Sequence, residues 1–262
     1  MLTSTDQLGN TITLAAPPRR IVSLVPSQTE FLFDIGLDEG IIGITRFCIH
    51  PKDKVAGKEK IGGTKQFNFD KIHALKPDLI IGNKEENYKD GIAELQKHYP
   101  VWMSDIYTLD DSLAMMKELS VLLGKAAEGK ELIERISKGF ADIETSAASP
   151  LPSAAYFIWR KPYMVAASNT FINEMLHRFG AHNVFEGMER YPEIEPEQLA
   201  AVKPDYIFLS SEPYSFRPIH IEEFQSFCPT AKVLLVDGEM FSWYGSRLQY
   251  APAYFKHLQQ ML

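Results

Sequence analysis

Short apolar runs alternate along the chain with stretches whose apolar residues recur at helical spacing. Residues 21–25, 41–44, 79–81, 154–158, 206–209 and 233–236 are rich in Ile, Val, Leu and Phe, with Ser23 as a small polar interruption in the first. Such runs mark strands covered on both faces, because a strand with one wet face alternates instead. With amphipathic stretches between several of them, the pattern predicts an α/β fold of doubly wound lobes with mainly parallel sheets.

One segment recurs. Ile-His-Ala-Leu-Lys-Pro-Asp-Leu-Ile-Ile at 72–81 resembles Leu-Ala-Ala-Val-Lys-Pro-Asp-Tyr-Ile-Phe at 199–208, and Lys76 and Lys203 stand 127 positions apart. In both copies Lys-Pro-Asp closes a helical pattern and opens a strand, since proline stops a helix and biases its predecessor away from α geometry. A second similarity supports duplication. Ser27-Gln28-Thr29-Glu30 precedes an apolar helix ending near Gly36, and Ser168-Asn169-Thr170 precedes one ending near Gly180. Ser27 and Glu30 have the spacing of a capping box. Two copies of this size predict two similar lobes, not a solenoid.

Between the copies, residues 126–147 carry an apolar stripe of Leu132, Ile133, Ile136, Phe140 and Ile143. A helix of that length spans about 33 Å, and two prolines at 150 and 152 end it. The predicted organisation is an N-terminal α/β lobe over 1–124, a single long bridging helix over 125–148, and a C-terminal α/β lobe over 149–262. A stiff bridge predicts a largely preformed cleft with small closure.

Composition narrows the function. Hydrophobic residues make up 45% of the 262-residue chain and charged residues 23%, which is a globular balance. The net charge of −7 excludes nucleic acid as an expected partner, because phosphate neutralisation needs surplus Lys and Arg. Two distant cysteines, Cys48 and Cys228, cannot form a disulfide framework and are expected as unpaired thiols. No grouping has zinc spacing, so no protein-bound metal or resident cofactor is expected. Residues 1–10 lack the basic start, apolar run and small-residue cleavage site of a signal peptide, which leaves a cytosolic protein or a removed export signal. No run of about eighteen apolar residues is present, so the chain is not expected to span a membrane. A phosphate loop, a G-x-G-x-x-G fingerprint and a G-x-S-x-G elbow are absent, and no acid–base spacing nominates a catalytic pair. The expectation is a binding protein and not an enzyme, with a cytosolic α/β enzyme or carrier as the alternative class.

The placed motifs carry a family resemblance. Arg20-Ile-Val-Ser-Leu-Val-Pro-Ser-Gln-Thr-Glu30, Ile42-Gly-Ile-Thr-Arg-Phe-Cys-Ile-His-Pro51 and Phe69-Asp-Lys-Ile-His-Ala-Leu-Lys-Pro-Asp-Leu-Ile-Ile81 resemble the helical-backbone substrate-binding proteins of ABC importers. The likeness is closest to the vitamin B12 (cobalamin) branch of the B12, iron-siderophore and haem receptors, and it runs from about residue 6 to the end. It implies a ligand between two lobes, either a corrinoid or a related bulky chelate such as a ferric siderophore or haem. It also implies a periplasmic or cell-envelope location and an ABC permease homodimer with its ATPase as partner.

The same resemblance nominates site residues. Aromatic ligand contacts map to Phe47, Trp159 and Tyr191, with Trp243 and Tyr244 on a late loop, while Thr64 and Asn83 replace two family aromatics. Flat rings bury much apolar area at low entropic cost. Arg46, His50, Lys65 and Arg160 supply cationic donors suited to amides, propionates or an anionic chelate. Asp70 and Glu197, again 127 positions apart, match paired acidic residues that dock family members onto the permease.

Overall fold

The computed structural model describes residues 1–144 and 151–262; the expected helix end at 145–148 lies outside the described residues. The chain opens on the strands β1 (Leu2–Thr5) and β2 (Thr11–Leu14), followed by β3 (Ile21–Ser23), α1 (Pro26–Asp34), β4 (Ile41–Ile44), α2 (Lys52–Val55) and β5 (Glu59–Lys60). Next come β6 (Gly62–Gly63), β7 (Gln66–Phe67), α3 (Phe69–Leu75), β8 (Leu79–Asn83), α4 (Lys89–Gln96), β9 (Val101–Ser104), α5 (Leu109–Leu122) and α6 (Ala126–Glu144). The rest comprises β10 (Ser153–Trp159), β11 (Tyr163–Val165), α7 (Phe171–Phe179), β12 (His182–Asn183), β13 (Glu193–Ile194), α8 (Pro196–Val202) and β14 (Tyr206–Ser210), then α9 (Ile221–Phe227), β15 (Lys232–Val236), α10 (Glu239–Ser242) and α11 (Ala251–Gln260).

These elements form two compact units. The first takes Met1–Ile106, Asp110–Arg135 and Tyr244–Arg247; the second takes Tyr107–Leu109, Ile136–Trp243 and Leu248–Leu262. The division falls inside α6, between Arg135 and Ile136. Leu132, Ile136, Phe140 and Ile143 of its stripe are buried and Ile133 is half-buried. In the first unit α6 approaches α5 at Gly129, where an added Cβ would meet the Ser120 hydroxyl at 1.9 Å. In the second unit Phe140 meets Phe255 of α11 edge to face at 6.3 Å.

The first unit is built on a five-stranded sheet in the order β5-β4-β3-β8-β9, with every pairing parallel. Ile21, Val22, Ile41, Ile44 and Leu79–Ile81 are fully buried, as continuous apolar runs require. Strand order reverses between β3 and β8, the place where sheets of this kind offer a crevice beyond the carboxyl ends of their strands. The second unit is α/β as well, but its six-stranded sheet is mixed. β10, β14, β15 and β12 pair in parallel, while β11 and β13 are antiparallel.

The duplicated segments take the same place in each unit. Each helix, α3 and α8, ends on a lysine in the left-handed region: Lys76 at φ 47°, ψ 61° and Lys203 at φ 45°, ψ 61°. Each following aspartate then ties down the neighbouring strand. The Asp78 carboxylate accepts from the backbone of Arg19 and Arg20 at 2.9 Å, ahead of β3. Asp205 accepts from the Ser153 backbone at 2.8 Å and its hydroxyl at 2.7 Å, at the start of β10. In each copy the strand then lies parallel to the one so anchored.

The capping box expected at Ser27 and Glu30 is not formed. Pro26 occupies the first turn of α1 and moves the cap to Val25, which lacks a side-chain acceptor. The Ser27 hydroxyl is buried and does not cap the helix. Glu30 turns instead to Arg247, which donates through Nε at 2.8 Å and through Nη2. The second copy does cap: Thr170 accepts from the Asn173 backbone, and Gly180 closes α7 at φ 92°. Cys48 and Cys228 are free and buried.

Candidate functional site

In the first unit, the loop after β4 presents Arg46 and Phe47. The Arg46 guanidinium lies over the Phe47 ring at 5.0 Å, and Phe47 is 48% exposed. Both side chains rest on Gly63, where an added Cβ would come within 3.2 Å of the Phe47 ring. The Arg46 backbone also donates to Gly62 at 2.9 Å. Thr64 and Lys65 form the turn between β6 and β7; Asn87 donates to the Thr64 carbonyl at 3.1 Å, and the Lys65 ammonium reaches the Glu85 carbonyl. The structure therefore brings Arg46, Phe47, Thr64 and Lys65 together, with His50 four residues on, half-buried. Asn83 is buried and fully engaged: it donates to Ser104 and accepts from the Glu85 and Glu86 backbones, so it holds the loop after β8. Beside this group lies a depression of about 520 Å³ lined by Arg46, Gly62, Gly63, Gln66, Phe67, Asn68, Phe69 and Asp70.

In the second unit, Trp159 ends β10 and is 39% exposed. Tyr214, on the loop after β14, meets it edge to face at 5.6 Å. Arg160 is an ion-pair partner and not an open cation: its Nε and Nη2 donate to Glu223 at 2.7 and 3.2 Å. Tyr163 donates its hydroxyl to the same carboxylate. Burial tends to push the Glu223 carboxyl up, yet the donors Arg160 and Tyr163 hold it below the usual range. Tyr163, half-buried beside that anion, is pushed up to about 12. Tyr191 shares Arg190 with Tyr107; the guanidinium lies 5.5 Å from the Tyr191 ring and 5.8 Å from the Tyr107 ring.

Trp243 and Tyr244 are placed differently from the exposed aromatics, at 8% and 5% exposure. The Trp243 indole donates to Glu212 at 2.8 Å, and Ser242 donates to the same oxygen at 2.6 Å. Burial nevertheless raises the Glu212 carboxyl, with Glu239 and Asp237 adding repulsion. Trp243 belongs with the second unit and Tyr244 with the first. Asp70 and Glu197 are exposed, each in the first turn of its seven-residue helix.

Sequence reading overlooked Tyr214, His220, Glu223 and the Glu30–Arg247 pair. Tyr214 had a usable signal, because Glu-Pro-Tyr-Ser-Phe follows a strand that the apolar pattern locates, and carboxyl-end loops carry ligand contacts in parallel α/β folds. The other partners sit up to 217 residues apart in the chain, and no local pattern marks them. Among the described residues, no three His, Cys, Asp or Glu side chains are grouped to hold a metal ion. No described helix is long and apolar enough to cross a membrane.

Comparison with known proteins places these features. The profile of the periplasmic binding protein family matches residues 21–228. A vitamin B12-binding protein of Pectobacterium atrosepticum is 26% identical over 245 residues, covering 89% of this chain and 85% of that protein. Among solved structures, the periplasmic vitamin B12 binding protein BtuF of Vibrio cholerae superposes with a TM-score of 0.80 at 24% identity, covering 93% of this chain and 99% of that one. A periplasmic heme binding protein from Pseudomonas aeruginosa superposes with a TM-score of 0.77 at 22% identity, covering 92% of each chain.

Proposed function

We propose, from the premise that this chain belongs to the periplasmic binding protein family, that it is the substrate-binding component of an ABC importer and carries a bulky metal chelate. The geometric observation behind the reading is a pair of exposed aromatic side chains. Phe47 and Trp159 each stand on the loop or final residue that follows a parallel strand, one in each unit, and each has an arginine beside it in sequence. Apolar rings with a few cationic donors suit a large conjugated ligand with polar substituents. Cobalamin is the proposed cargo, on the strength of the B12-binding relatives; haem or a ferric siderophore is the second reading, favoured by the heme-binding structural neighbour. Family and fold are those of binding proteins, and delivery to a permease homodimer in the periplasm or cell envelope follows from the same reading.

The proposed contacts are Phe47, Trp159 and Tyr191, with Arg46, His50, Thr64 and Lys65 contributing polar groups. Trp243 and Tyr244 would support the contacts of their own units from within the core, and Arg160 would act through its ion pair. The test is a visible-absorbance titration of the purified protein with cyanocobalamin, haemin and a ferric siderophore, whose spectra are distinct. Saturable binding of one of them supports the reading. Binding of none removes the ligand class.

A further inference from the structure

We infer that Tyr214 and His220 are positioning residues for Trp159, and that the hold on this ring requires a neutral His220 imidazole. The inference rests on the proposal that Trp159 contacts a chelate.

Tyr214 is clamped on several sides. Its ring packs against Phe216 at 4.8 Å and His220 at 5.6 Å, and it meets Trp159 at 5.6 Å. Its hydroxyl lies 3.4 Å from Nε2 of His220. His220 is 6% exposed, and its Nδ1 lies 2.9 Å from the Arg217 backbone nitrogen. A backbone N–H can only donate, so Nδ1 carries no proton and Nε2–H faces Tyr214. Both ring nitrogens are therefore committed, and the chain of contacts runs from the Arg217 backbone through imidazole and phenol to the exposed indole.

Protonation breaks that chain at one point. A second proton on His220 would sit on Nδ1 and oppose the Arg217 N–H. The charged groups around the ring do not welcome it. Arg160 at the end of β10 and Arg217 before the imidazole are both cationic, and only Glu223 of α9 opposes them, itself bound to Arg160 and Tyr163. Burial and Arg160 depress His220 below its ordinary 6.5. A depressed basic group leaves the folded arrangement intact above 6.5 and weakens it as pH falls through the folded value. Once Nδ1 is protonated, the Arg217 end of the loop loses this anchor; the Tyr214 backbone still donates to Ile158 at 3.3 Å, so the loop stays attached while the Tyr214 ring loses the support that holds it edge to face against Trp159.

The experiment measures affinity for cyanocobalamin and haemin between pH 5 and 8. The proteins are wild type, Tyr214→Leu, Trp159→Leu, the double variant carrying both, and His220→Asn; the asparagine oxygen keeps an acceptor for the Arg217 N–H but cannot titrate. For the chelate that binds, wild-type affinity should fall several-fold on acidification, and His220→Asn should flatten that profile. Tyr214→Leu, which keeps apolar volume, should weaken binding about twofold to tenfold, the size of an aromatic pair contribution. Trp159→Leu is an exposed change that leaves the fold intact, and in its background Tyr214→Leu should have no further effect. An unchanged pH profile in His220→Asn, or additive losses in the double variant, would overturn the inference while leaving the chelate-binding reading standing. A wild type that binds neither chelate would remove both.

Discussion

Replacing Trp243 by alanine would remove a ring that is 8% exposed and that donates, with Ser242, to the half-buried Glu212. Removing a buried tryptophan typically costs about 3–5 kcal/mol. Urea unfolding of Trp243→Ala should show a loss of that order, and any fall in affinity would follow from it. Full stability with weakened ligand binding would return Trp243 to the contact surface. Arg247 offers a second residue-scale test. Its side chain is 11% exposed and Glu30's 8%, so each shields the other's charge. Burial raises the Glu30 carboxyl and Arg247 pulls it back. A raised carboxyl contributes stability below its unfolded value, and this is lost as pH rises through the folded one. Arg247→Met strengthens the raise, so its stability loss should be small near pH 4 and reach about 3–5 kcal/mol at pH 8. Equal losses at both pH values would show that Arg247 acts through packing alone.

At the scale of elements, the duplicated turns make a paired prediction. Lys76 and Lys203 both hold φ near 45°, where a side chain is strained by about 1–2 kcal/mol and glycine is not. Glycine loses more backbone entropy on folding, by about 0.5–1 kcal/mol. Lys76→Gly and Lys203→Gly should each therefore be neutral to about 1 kcal/mol stabilising, in the same direction, by thermal unfolding. Opposite signs would mean that the two turns carry different strain despite their shared geometry. This turn was legible in sequence because Lys-Pro-Asp is a local code, and residues 41–44 and 206–209 were legible because largely covered strands read as apolar runs; 233–236 reads the same way but forms the edge strand β15, where Leu235 is exposed and only Val236 is buried. β9 (Val101-Trp-Met-Ser104) was not: it is fully buried, but its polar final residue and its following acidic turn disguise so short a run. The β1–β2 hairpin was missed although Thr11-Ile-Thr-Leu14 alternates in sequence and in burial, because each strand is only four residues long, its partner Leu2-Thr-Ser-Thr5 is mostly polar, and the turn is built by Asp6 accepting from the Leu8 and Asn10 backbones. The proposed contacts show the same divide. Exposed Phe47 and Trp159 follow strands that the pattern finds, whereas the burial of Trp243 depends on Glu212, thirty-one residues away.

For the whole molecule, the repeat gives each unit one carboxylate at the start of a matching helix. Asp70 is the second residue of α3 and Glu197 the second of α8, and both are exposed. The plain explanation is the helix dipole, which favours an acid in the first turn by about 0.3–1 kcal/mol. That explanation predicts a purely local effect: Asp70→Lys with Glu197→Lys would lower stability slightly and change nothing else. The proposed role asks more of the pair. A receptor built from two similar halves can present one carboxylate to each subunit of a permease homodimer, and basic side chains there would receive them. Asp70 reaches one methylene less far than Glu197, so the two contacts need not be equal in strength. Exposed charges at the rim of an interface act mainly on encounter rate and salt dependence. The double charge reversal should therefore leave chelate affinity and unfolding midpoint nearly intact, while slowing association with membranes that contain the cognate permease by well over tenfold at low salt. Raising salt should narrow that difference, because screening weakens the wild-type attraction and the variant repulsion together. Unchanged association in the double variant, with the fold intact, would leave the two acids as helix-start residues and move the docking surface elsewhere.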